Sequence, residues 1–219
     1  MLRTLLISLA LTVAGIPQET HHGDYKKHRL PHSAEEYAKM LEDPTRESWQ
    51  KPHQVVEALE LRPGSTVADI GAGTGYFALR FAHWVGAEGK VLAVDIDPKL
   101  LERARLAGEA QKLANLVTVL AAPDDPHLGA RTVDVIFLCD VIHHIENRPA
   151  YYPWLARALK PAGRLAIVDF HKRPLPVGPP PAMKIAREDM IGELESAGFR
   201  LAGEHTFLPH QYYLVFEVK

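Results

Sequence analysis

From residue 66 onward, short apolar segments alternate regularly with segments of helical pattern, and this alternation restricts the fold more than any other feature of the chain. Short apolar segments bounded by turn residues are typical of strands buried on both faces of a sheet. The alternation predicts strands at residues 67–70, 91–94, 117–120, 133–138 and 165–168, with helices at 76–85, 98–113 and 149–159. Repeated strand–helix–strand units imply right-handed crossovers, so we expect an α/β fold with a parallel, doubly wound sheet.

The C-terminal part departs from this repetition. After a helix predicted at residues 187–197, strands at 201–207 and 212–218 are separated by only four residues, and so short a link requires an antiparallel hairpin. Residues 171–186 contain five prolines. We therefore expect a rigid loop without regular structure there, crossing the edge of the sheet at which a site would lie.

The residues before the sheet have the pattern of a helical cap. Residues 18–64 are predicted to form this cap or lid, and residues 65–219 the main domain. One helix is expected at 33–42, because Ser33 and Glu36 have the spacing of a capping box, and another begins near Pro52. The inward stripe of the second helix consists of Val55, Val56, Leu59 and Leu61.

The first residues of the chain have the pattern of a signal peptide or N-terminal anchor. Residues 2–16 are largely apolar and follow a charged start. They are too few for an ordinary transmembrane helix, so no integral membrane domain is predicted. Residues 1–17 therefore favour an exported, periplasmic or membrane-tethered protein, and a cytoplasmic protein with a loose N-terminal arm is the alternative.

Charge and cysteine content restrict the class of partner. The chain has 25 basic and 27 acidic side chains and a formal net charge of -2, so no general positive field would gather nucleic acid. Its single cysteine, Cys139, excludes an internal disulfide framework and a multi-thiolate metal site. A small-molecule partner is expected. No metal site is predicted, because the N-terminal histidines lack a helical pair with a carboxylate partner. These histidines are His21, His22, His28 and His32.

A glycine-rich turn follows the first predicted strand, where ligands of open α/β sheets bind. The turn runs from Gly71 to Gly75 as Gly-Ala-Gly-Thr-Gly. Asp95, at the end of the second strand and twenty residues after Gly75, is placed to accept from both hydroxyls of a ribose. The competing interpretation, in which the carboxylate only caps the next helix, applies best to Asp97, which directly precedes Pro98.

The glycine spacing separates two possible cofactors. A dinucleotide fingerprint has Gly-x-Gly-x-x-Gly, whereas here the third glycine comes one residue early and Tyr76 takes its expected place. The carboxylate of Asp69 is awkward beside a pyrophosphate but suits a ligand with an ammonium and a sulfonium. Both features favour S-adenosyl-L-methionine over a nicotinamide dinucleotide.

Four stretches of the chain carry a family resemblance. Val-Ala-Asp-Ile-Gly-Ala-Gly-Thr-Gly at 67–75 and Val-Asp-Ile-Asp at 94–97 are followed by Phe-Leu-Cys-Asp-Val-Ile-His-His at 137–144 and Ala-Leu-Lys-Pro-Ala-Gly-Arg-Leu at 158–165. With these motifs, residues 50–219 resemble the class I S-adenosylmethionine-dependent methyltransferases, in particular bacterial small-molecule-type members. The resemblance implies a Rossmann-like sheet of seven strands, mostly parallel with an antiparallel C-terminal strand, and S-adenosyl-L-methionine as cofactor.

The resemblance also implies roles for individual residues. Asp69, Gly71 and Gly73 would lie near the methionine part of the cofactor, Asp95 on the ribose and Asp124 near the adenine. Many members carry Gly-Asp where this chain has two alanines at 121–122, so Asp125 remains an alternative to Asp124. The segment 49–52 is expected to close over the cofactor. The whole implied set is Asp69, Gly71, Ala72, Gly73, Gly75, Asp95, Ile96, Asp124 and Cys139.

Candidate catalytic residues follow the fourth predicted strand. Methyl transfer needs mainly alignment of the acceptor and exclusion of water, but a hydroxyl or protonated amine acceptor benefits from a base. His144 and His143 are the candidates for that base, and Asp140 for holding the amino end of the cofactor or the acceptor. The competing interpretation is that one histidine caps a turn and the other packs in the core.

Methyl transfer to an unidentified small-molecule acceptor is therefore the function that the sequence favours. Two alternatives belong to other classes. An NAD(P)-dependent oxidoreductase would change the absorbance of a nicotinamide cofactor. A catalytically idle S-adenosylmethionine-binding module would transfer no labelled methyl group to any acceptor.

Overall fold

One seven-stranded sheet organises the chain in a computed structural model that describes residues 34–219, apart from the side chains of residues 34, 36 and 37. The order of the strands across the sheet is β3-β2-β1-β4-β5-β7-β6. β7 runs antiparallel to both of its neighbours, and the other pairs are parallel. The strands are β1 Thr66–Ile70, β2 Lys90–Asp95, β3 Leu116–Leu120, β4 Val133–Cys139, β5 Leu159–Phe170, β6 Phe199–His205 and β7 Gln211–Val218. The predicted α/β, Rossmann-like sheet with one antiparallel C-terminal strand is confirmed.

Helices cover both faces of this sheet because the central strands are apolar on both sides. Three consecutive residues of β4, Ile136, Phe137 and Leu138, are fully buried. Ile136 and Leu138 pack in the cluster that includes α6 and α7, and Phe137 in the one that includes α3 and α4. Each such side chain stabilises the fold by about 1.5–3 kcal/mol. The helices are α1 Ala34–Leu41, α2 Arg46–Gln50, α3 Pro52–Ala58, α4 Ala78–Val85, α5 Pro98–Ala110, α6 Arg148–Ala158 and α7 Arg187–Ser196.

The C-terminal hairpin places one antiparallel strand between two parallel neighbours. β6 and β7 pair antiparallel, as the short link predicts, and β7 then pairs along β5 from Glu217 opposite Arg164 to Gln211 opposite Phe170. Because β7 runs in the opposite direction, it begins at the edge where the parallel strands end. Gln211 therefore joins the carboxyl ends of those strands.

The structure differs from the sequence predictions mainly at the ends of elements. The helix α2 was not predicted, and β5 begins at Leu159 because this residue pairs with Val133 ahead of a register shift. α5 ends at Ala110, since Lys112 has a left-handed backbone with φ of +58°. The proline-rich segment contains one 3₁₀ turn, Pro181–Met183, so the expectation of no regular structure is wrong there. Proline is tolerated at the first position of such a turn.

Some predictions fall on residues that the structure does not describe. The signal peptide or anchor at 1–17, the first part of the cap at 18–33, the capping-box side chains and the four N-terminal histidines lie outside the described residues. They stay predictions. In residues 34–219, none of the helices combines the length and the apolar character needed to cross a membrane.

Candidate active site

The carboxyl edge of the sheet gathers polar residues from five strands. Ligands of open α/β sheets bind at this edge, where loops and helix N-termini leave room and free amides. Asp95 ends β2, Gln211 begins β7, and Asp140 directly follows β4, while Asp69 and Asp169 are the penultimate residues of β1 and β5.

The glycine loop after β1 lies closer to its neighbours than a side chain would permit. Gly71 has a φ of +72°, and a β-carbon there would be 2.1 Å from Cγ2 of Val141. Gly73 has a φ of +56°, and a β-carbon there would be 2.8 Å from Cδ1 of Leu41 on α1. Both positions combine a left-handed backbone with close approach, so both favour glycine. The backbone of the loop thus packs directly against Val141 and Leu41.

Replacing Gly71 by alanine is expected to lower the free energy of unfolding by about 1–3 kcal/mol, because it adds backbone strain and a clash with Val141. Urea denaturation measures this change. The matched control is Gly192→Ala on α7, where nothing lies within 4 Å of an added β-carbon. That control should raise the free energy of unfolding by about 0.5–1 kcal/mol through helix propensity. Equal changes in the free energy of unfolding at Gly71 and Gly192 would contradict the conclusion that only glycine fits at Gly71.

Asp69 is a buried carboxyl group with a free oxygen. The residue is 3% exposed. Its Oδ2 atom is fully buried and has no hydrogen-bond partner among the described residues. Burial raises the pKa of Asp69 to about 8, and the nearby charge of Asp95 adds to the rise, while the amide of Ala78 and the charge of Arg46 oppose it. A ligand that brings a positive charge or a donor to Oδ2 would relieve this cost.

Asp95 holds the glycine loop and the following turn. Its Oδ2 accepts from the amide of Gly73 at 2.8 Å, and its Oδ1 accepts from the amide of Asp97 at 3.0 Å. A carboxylate has about four lone-pair sites, so Asp95 retains acceptor capacity for ligand hydroxyls. Asp97 has the capping role that the sequence suggested, because its side chain accepts from the amide of Lys99 at 2.8 Å at the start of α5.

Asp140, directly after β4, is held between two amide side chains. Oδ2 accepts from Nε2 of Gln50 at 2.9 Å, and Oδ1 accepts from Nε2 of Gln211 at 2.6 Å. Nε2 of Gln50 also lies 3.0 Å from Sγ of Cys139. The backbone of Asp140 is left-handed, with φ of +59°. Burial, followed by the charge of Asp169, raises the pKa of Asp140 to about 6.

His143 and Asp169 form a buried pair at the same edge. Nδ1 of His143 lies 2.9 Å from both carboxylate oxygens of Asp169, and the two side chains are 2% and 0% exposed. Burial lowers the pKa of His143, but the hydrogen bond and charge of Asp169 and the charge of Asp140 outweigh it, and the net pKa is raised. His143 lies in the 3₁₀ turn Ile142–His144.

His144 is placed differently from His143. The residue is exposed, and the centroids of the two rings lie 4.2 Å apart. Partial desolvation and then the charge of His143 lower the pKa of His144 to about 4. His144 is therefore neutral near pH 7, and no carboxylate of the described chain bonds to its ring.

Comparisons with known proteins agree with this geometry. Residues 68–167 match the family model described as a methyltransferase domain. The structure superposes on a SAM-dependent methyltransferase from Aquifex aeolicus with a TM-score of 0.81 and 26% identity, over 86% of this chain and 100% of that one. Residues 68–167 thus form a methyltransferase domain, and the fold is that of the class I S-adenosylmethionine-dependent methyltransferases. This match decides between the two cofactors that the sequence left open.

Curated relatives of this methyltransferase match over part of their length. One is the ubiquinone/menaquinone biosynthesis C-methyltransferase UbiE of Shewanella sp. strain W3-18-1, with 28% identity over 57% of this chain and 49% of the relative. Another is a demethylmenaquinone methyltransferase of Symbiobacterium thermophilum, with 28% identity over 71% of this chain and 63% of the relative. The chain thus spans about half the length of the first of these relatives.

The residues at the edge fit the cofactor of this family. The glycine loop 71–75, the candidate cofactor cradle, approaches Val141 and Leu41 more closely than a β-carbon at Gly71 or Gly73 would permit, and Oδ2 of Asp69 is a buried acceptor without a partner among the described residues. An ammonium group is the kind of partner that Asp69 lacks, and ribose hydroxyls match the remaining acceptor capacity of Asp95. The chain therefore has one carboxylate suited to the ammonium group of S-adenosylmethionine and another suited to its ribose.

The other predicted cofactor residues lie around this cradle. Ile96 is 58% exposed beside Asp95, and its contact with the cofactor stays a prediction. Asp125 accepts from the amide of His127 at 2.7 Å within a turn. Asp124 is exposed beside it, so the assignment of the adenine contact to Asp124 stays a prediction. Cys139 is half-buried at the end of β4 and is a free thiol.

The structure adds residues that the sequence predictions did not include. Asp169 completes the pair with His143, and the amides of Gln50 and Gln211 hold Asp140. The sequence feature that could have identified Asp169 is an acidic residue at the end of a buried apolar strand. A charge at such a place is costly unless it is paired or has a functional role. Gln50 lies in the segment 49–52, which contacts Asp140 after β4 and the carbonyl of Phe207 in the link between β6 and β7. The closure of this segment over the cofactor stays a prediction.

Proposed function

We propose that this protein transfers a methyl group from S-adenosylmethionine to a small molecule that carries an ionisable hydroxyl or amine, with His143 as general base. The observation that supports this proposal is the buried pair of His143 and Asp169 beside the glycine loop and the end of β4. A histidine held by a buried carboxylate is the usual arrangement for a base that takes a proton from an acceptor.

The contacts of His143 define which nitrogen acts as the base. Nδ1 faces both oxygens of Asp169, so in the neutral ring Nδ1 carries the proton and donates it to the carboxylate. The lone pair is then on Nε2, which has no hydrogen-bond partner among the described residues. Asp169 thus fixes the tautomer and the orientation of the ring, and stabilises the imidazolium that forms.

Proton removal and methyl transfer are coupled at the acceptor. S-adenosylmethionine supplies a methyl group whose bond to a positively charged sulfur breaks, leaving a neutral thioether. His143 takes the acceptor proton on Nε2 as the acceptor atom forms its bond to the methyl carbon. Burial of His143 and Asp169 keeps water away from the base. The same proton removal would activate the ring carbon beside a phenolic hydroxyl, so both oxygen and carbon acceptors are compatible with this base.

A labelled-methyl assay tests the proposed function directly. Purified full chain and S-adenosylmethionine labelled in the methyl group are incubated with phenols, hydroquinones and amines. These classes are chosen because one relative is named a ubiquinone/menaquinone biosynthesis C-methyltransferase and another a demethylmenaquinone methyltransferase. Transfer of label to one class, lost in His143→Gln, is the expected result. Binding of the cofactor without transfer to any class would instead favour the catalytically idle module.

Replacing Asp169 by asparagine is expected to move the acid limb of the pH profile of kcat to lower pH. The raised pKa of His143 in the native protein means that the neutral base appears only above the usual histidine range. Without the charge of Asp169, burial dominates and lowers that pKa, so neutral His143 is present at lower pH. kcat should also fall, because the tautomer is no longer fixed.

The profile of kcat between about pH 5 and 9 measures this shift. Asp189→Asn, which changes an exposed carboxylate on α7, is the matched control and should leave the profile in place. An acid limb that stays at the same pH in Asp169→Asn would contradict the role of the pair.

A further inference from the structure

The C-terminal end of α1 contacts the glycine loop through Leu41 and Gly73, and α2 begins shortly after it with Arg46. Nε of Arg46 donates to Oε1 of Gln50 at 2.8 Å, and its guanidinium donates to the carbonyl of Leu41. Its Cζ atom lies 4.1 Å from the centroid of the Tyr76 ring, which directly follows the loop. Side-chain contacts therefore hold Arg46 at the rim of the cofactor cradle.

The charge of Arg46 acts on the residues beneath it. It lowers the pKa of Asp69, of Cys139 and of Asp140, against the stronger effect of burial at each of them. These three residues lie at the carboxyl ends of β1 and β4. The positive group on α2 thus faces the edge where Oδ2 of Asp69 is buried without a partner among the described residues.

The cofactor has a zwitterionic end, and only one half of its binding site is assigned. Asp69 suits the ammonium group. The carboxylate of the same methionine part would meet the negative charges of Asp69, Asp95 and Asp140, and a cation must offset this repulsion. A planar guanidinium is the side chain best suited to bind a carboxylate through two parallel hydrogen bonds.

We propose that Arg46 binds the carboxylate of the methionine part of S-adenosylmethionine, so that α2 completes a zwitterion site whose other half is Asp69. The proposal concerns the cofactor alone and is independent of the acceptor and of the base. It also gives α2 a role, since the hydrogen bond of Gln50 to Asp140 holds this helix, and with it Arg46, beside the end of β4.

A matched arginine separates this role from a purely structural one. Arg80 on α4 also packs on the Tyr76 ring, with Cζ 4.2 Å from the centroid. It pairs with Glu47 and donates to the carbonyl of Tyr76. Its charge is not among the causes that shift the pKa of Asp69 or Asp140. Both arginines therefore pack on the Tyr76 ring, but only the charge of Arg46 acts on Asp69 and Asp140.

Calorimetric titration with two ligands tests the proposal without an acceptor. S-adenosylhomocysteine retains the amino-acid end, and 5′-methylthioadenosine lacks it. Arg46→Met should weaken binding of S-adenosylhomocysteine by about 10- to 100-fold and leave binding of 5′-methylthioadenosine unchanged. Arg80→Met should change neither affinity. Equal losses for both ligands in Arg46→Met, or no loss for either, would overturn the proposal.

A second variant covers the case in which Arg46→Met does not fold. Arg46→Lys keeps the charge but loses the planar fork, so it should weaken S-adenosylhomocysteine less than the methionine variant and spare 5′-methylthioadenosine. Equal losses for both ligands in this variant also overturn the proposal. The failure of the wild type to bind S-adenosylhomocysteine would overturn the cofactor assignment as well, whereas absence of methyl transfer would overturn only the proposed function.

Discussion

Replacing His143 by glutamine should lower kcat for methyl transfer by about 10²- to 10⁴-fold, the range that a positioned general base contributes. Glutamine keeps a donor toward Asp169 but has no group that takes up a proton near neutral pH. In the proposed function His143 is that base, and Asp169, whose Oδ1 lies 2.9 Å from Nδ1, orients its ring. Steady-state kinetics give kcat, and calorimetry gives the affinity for S-adenosylhomocysteine, which should not change.

The neighbouring histidine is the control for this prediction. His144→Gln alters an exposed ring that no carboxylate of the described chain holds, so kcat should remain close to that of the wild type. Equal losses of kcat in the two variants would show that the pairing of His143 with Asp169 does not determine kcat. A fall of cofactor affinity in His143→Gln would show that this histidine supports the cofactor rather than the acceptor.

The sequence could predict that the candidate cofactor residues lie together, because they are close in the chain and fixed by local geometry. Asp69 and the glycines belong to a single strand and turn, and Asp95 ends the next strand, which pairs alongside in register. The parallel sheet then brings both strand ends to one edge, since this is a property of the fold class. Sequence spacing alone therefore predicts that Asp69, the glycine loop and Asp95 are neighbours.

The acceptor half could not be predicted in the same way because its contacts join distant residues. His143 and Asp169 are 26 positions apart, and Asp140 is 71 positions from Gln211 and 90 from Gln50. These contacts depend on the strand order and on the reversal of β7. The sequence indicated both histidines but could not separate them, because only the partner of each ring distinguishes the base from its neighbour.

The helix α2 is a second element that the sequence could not give. Five residues are too few for an autonomous helix, so its stability must come from tertiary contacts. The centroid of the Trp49 ring lies 5.8 Å from that of Phe170, and Gln50 is fully buried against Asp140. A segment of this kind has no periodic pattern to recognise, although it carries Arg46 to the cofactor cradle.

Three carboxyl groups at the carboxyl edge of the sheet have raised pKa values. Burial is the largest cause that raises the pKa of Asp69, Asp95 and Asp140. Each therefore binds its proton more strongly than an exposed carboxyl group, and a cationic ligand would reverse this preference. An edge of this kind suits a cofactor with a sulfonium and an ammonium group, and it disfavours a pyrophosphate.

Replacing Asp95 by alanine should weaken binding of S-adenosylhomocysteine by at least about 100-fold, because two hydrogen bonds from the ribose to a charged acceptor are lost. The same change also removes the acceptor of the Gly73 amide, so part of the loss comes from the loop. A ligand lacking the 2′-hydroxyl separates the two contributions. It should bind the wild type more weakly than the parent nucleoside, and this difference should disappear in Asp95→Ala.

Asp97→Ala is the control two residues further along the chain. Its carboxylate caps α5 through the amide of Lys99, so its loss should lower the free energy of unfolding by about 1 kcal/mol and leave the affinity for S-adenosylhomocysteine unchanged. Asp97→Ala is a strict control because both carboxylates accept hydrogen bonds from backbone amides in the same turn. If Asp95→Ala lowered the free energy of unfolding but left the affinity for S-adenosylhomocysteine unchanged, as Asp97→Ala should, Asp95 would be a cap. The ribose would then have to be bound by another group.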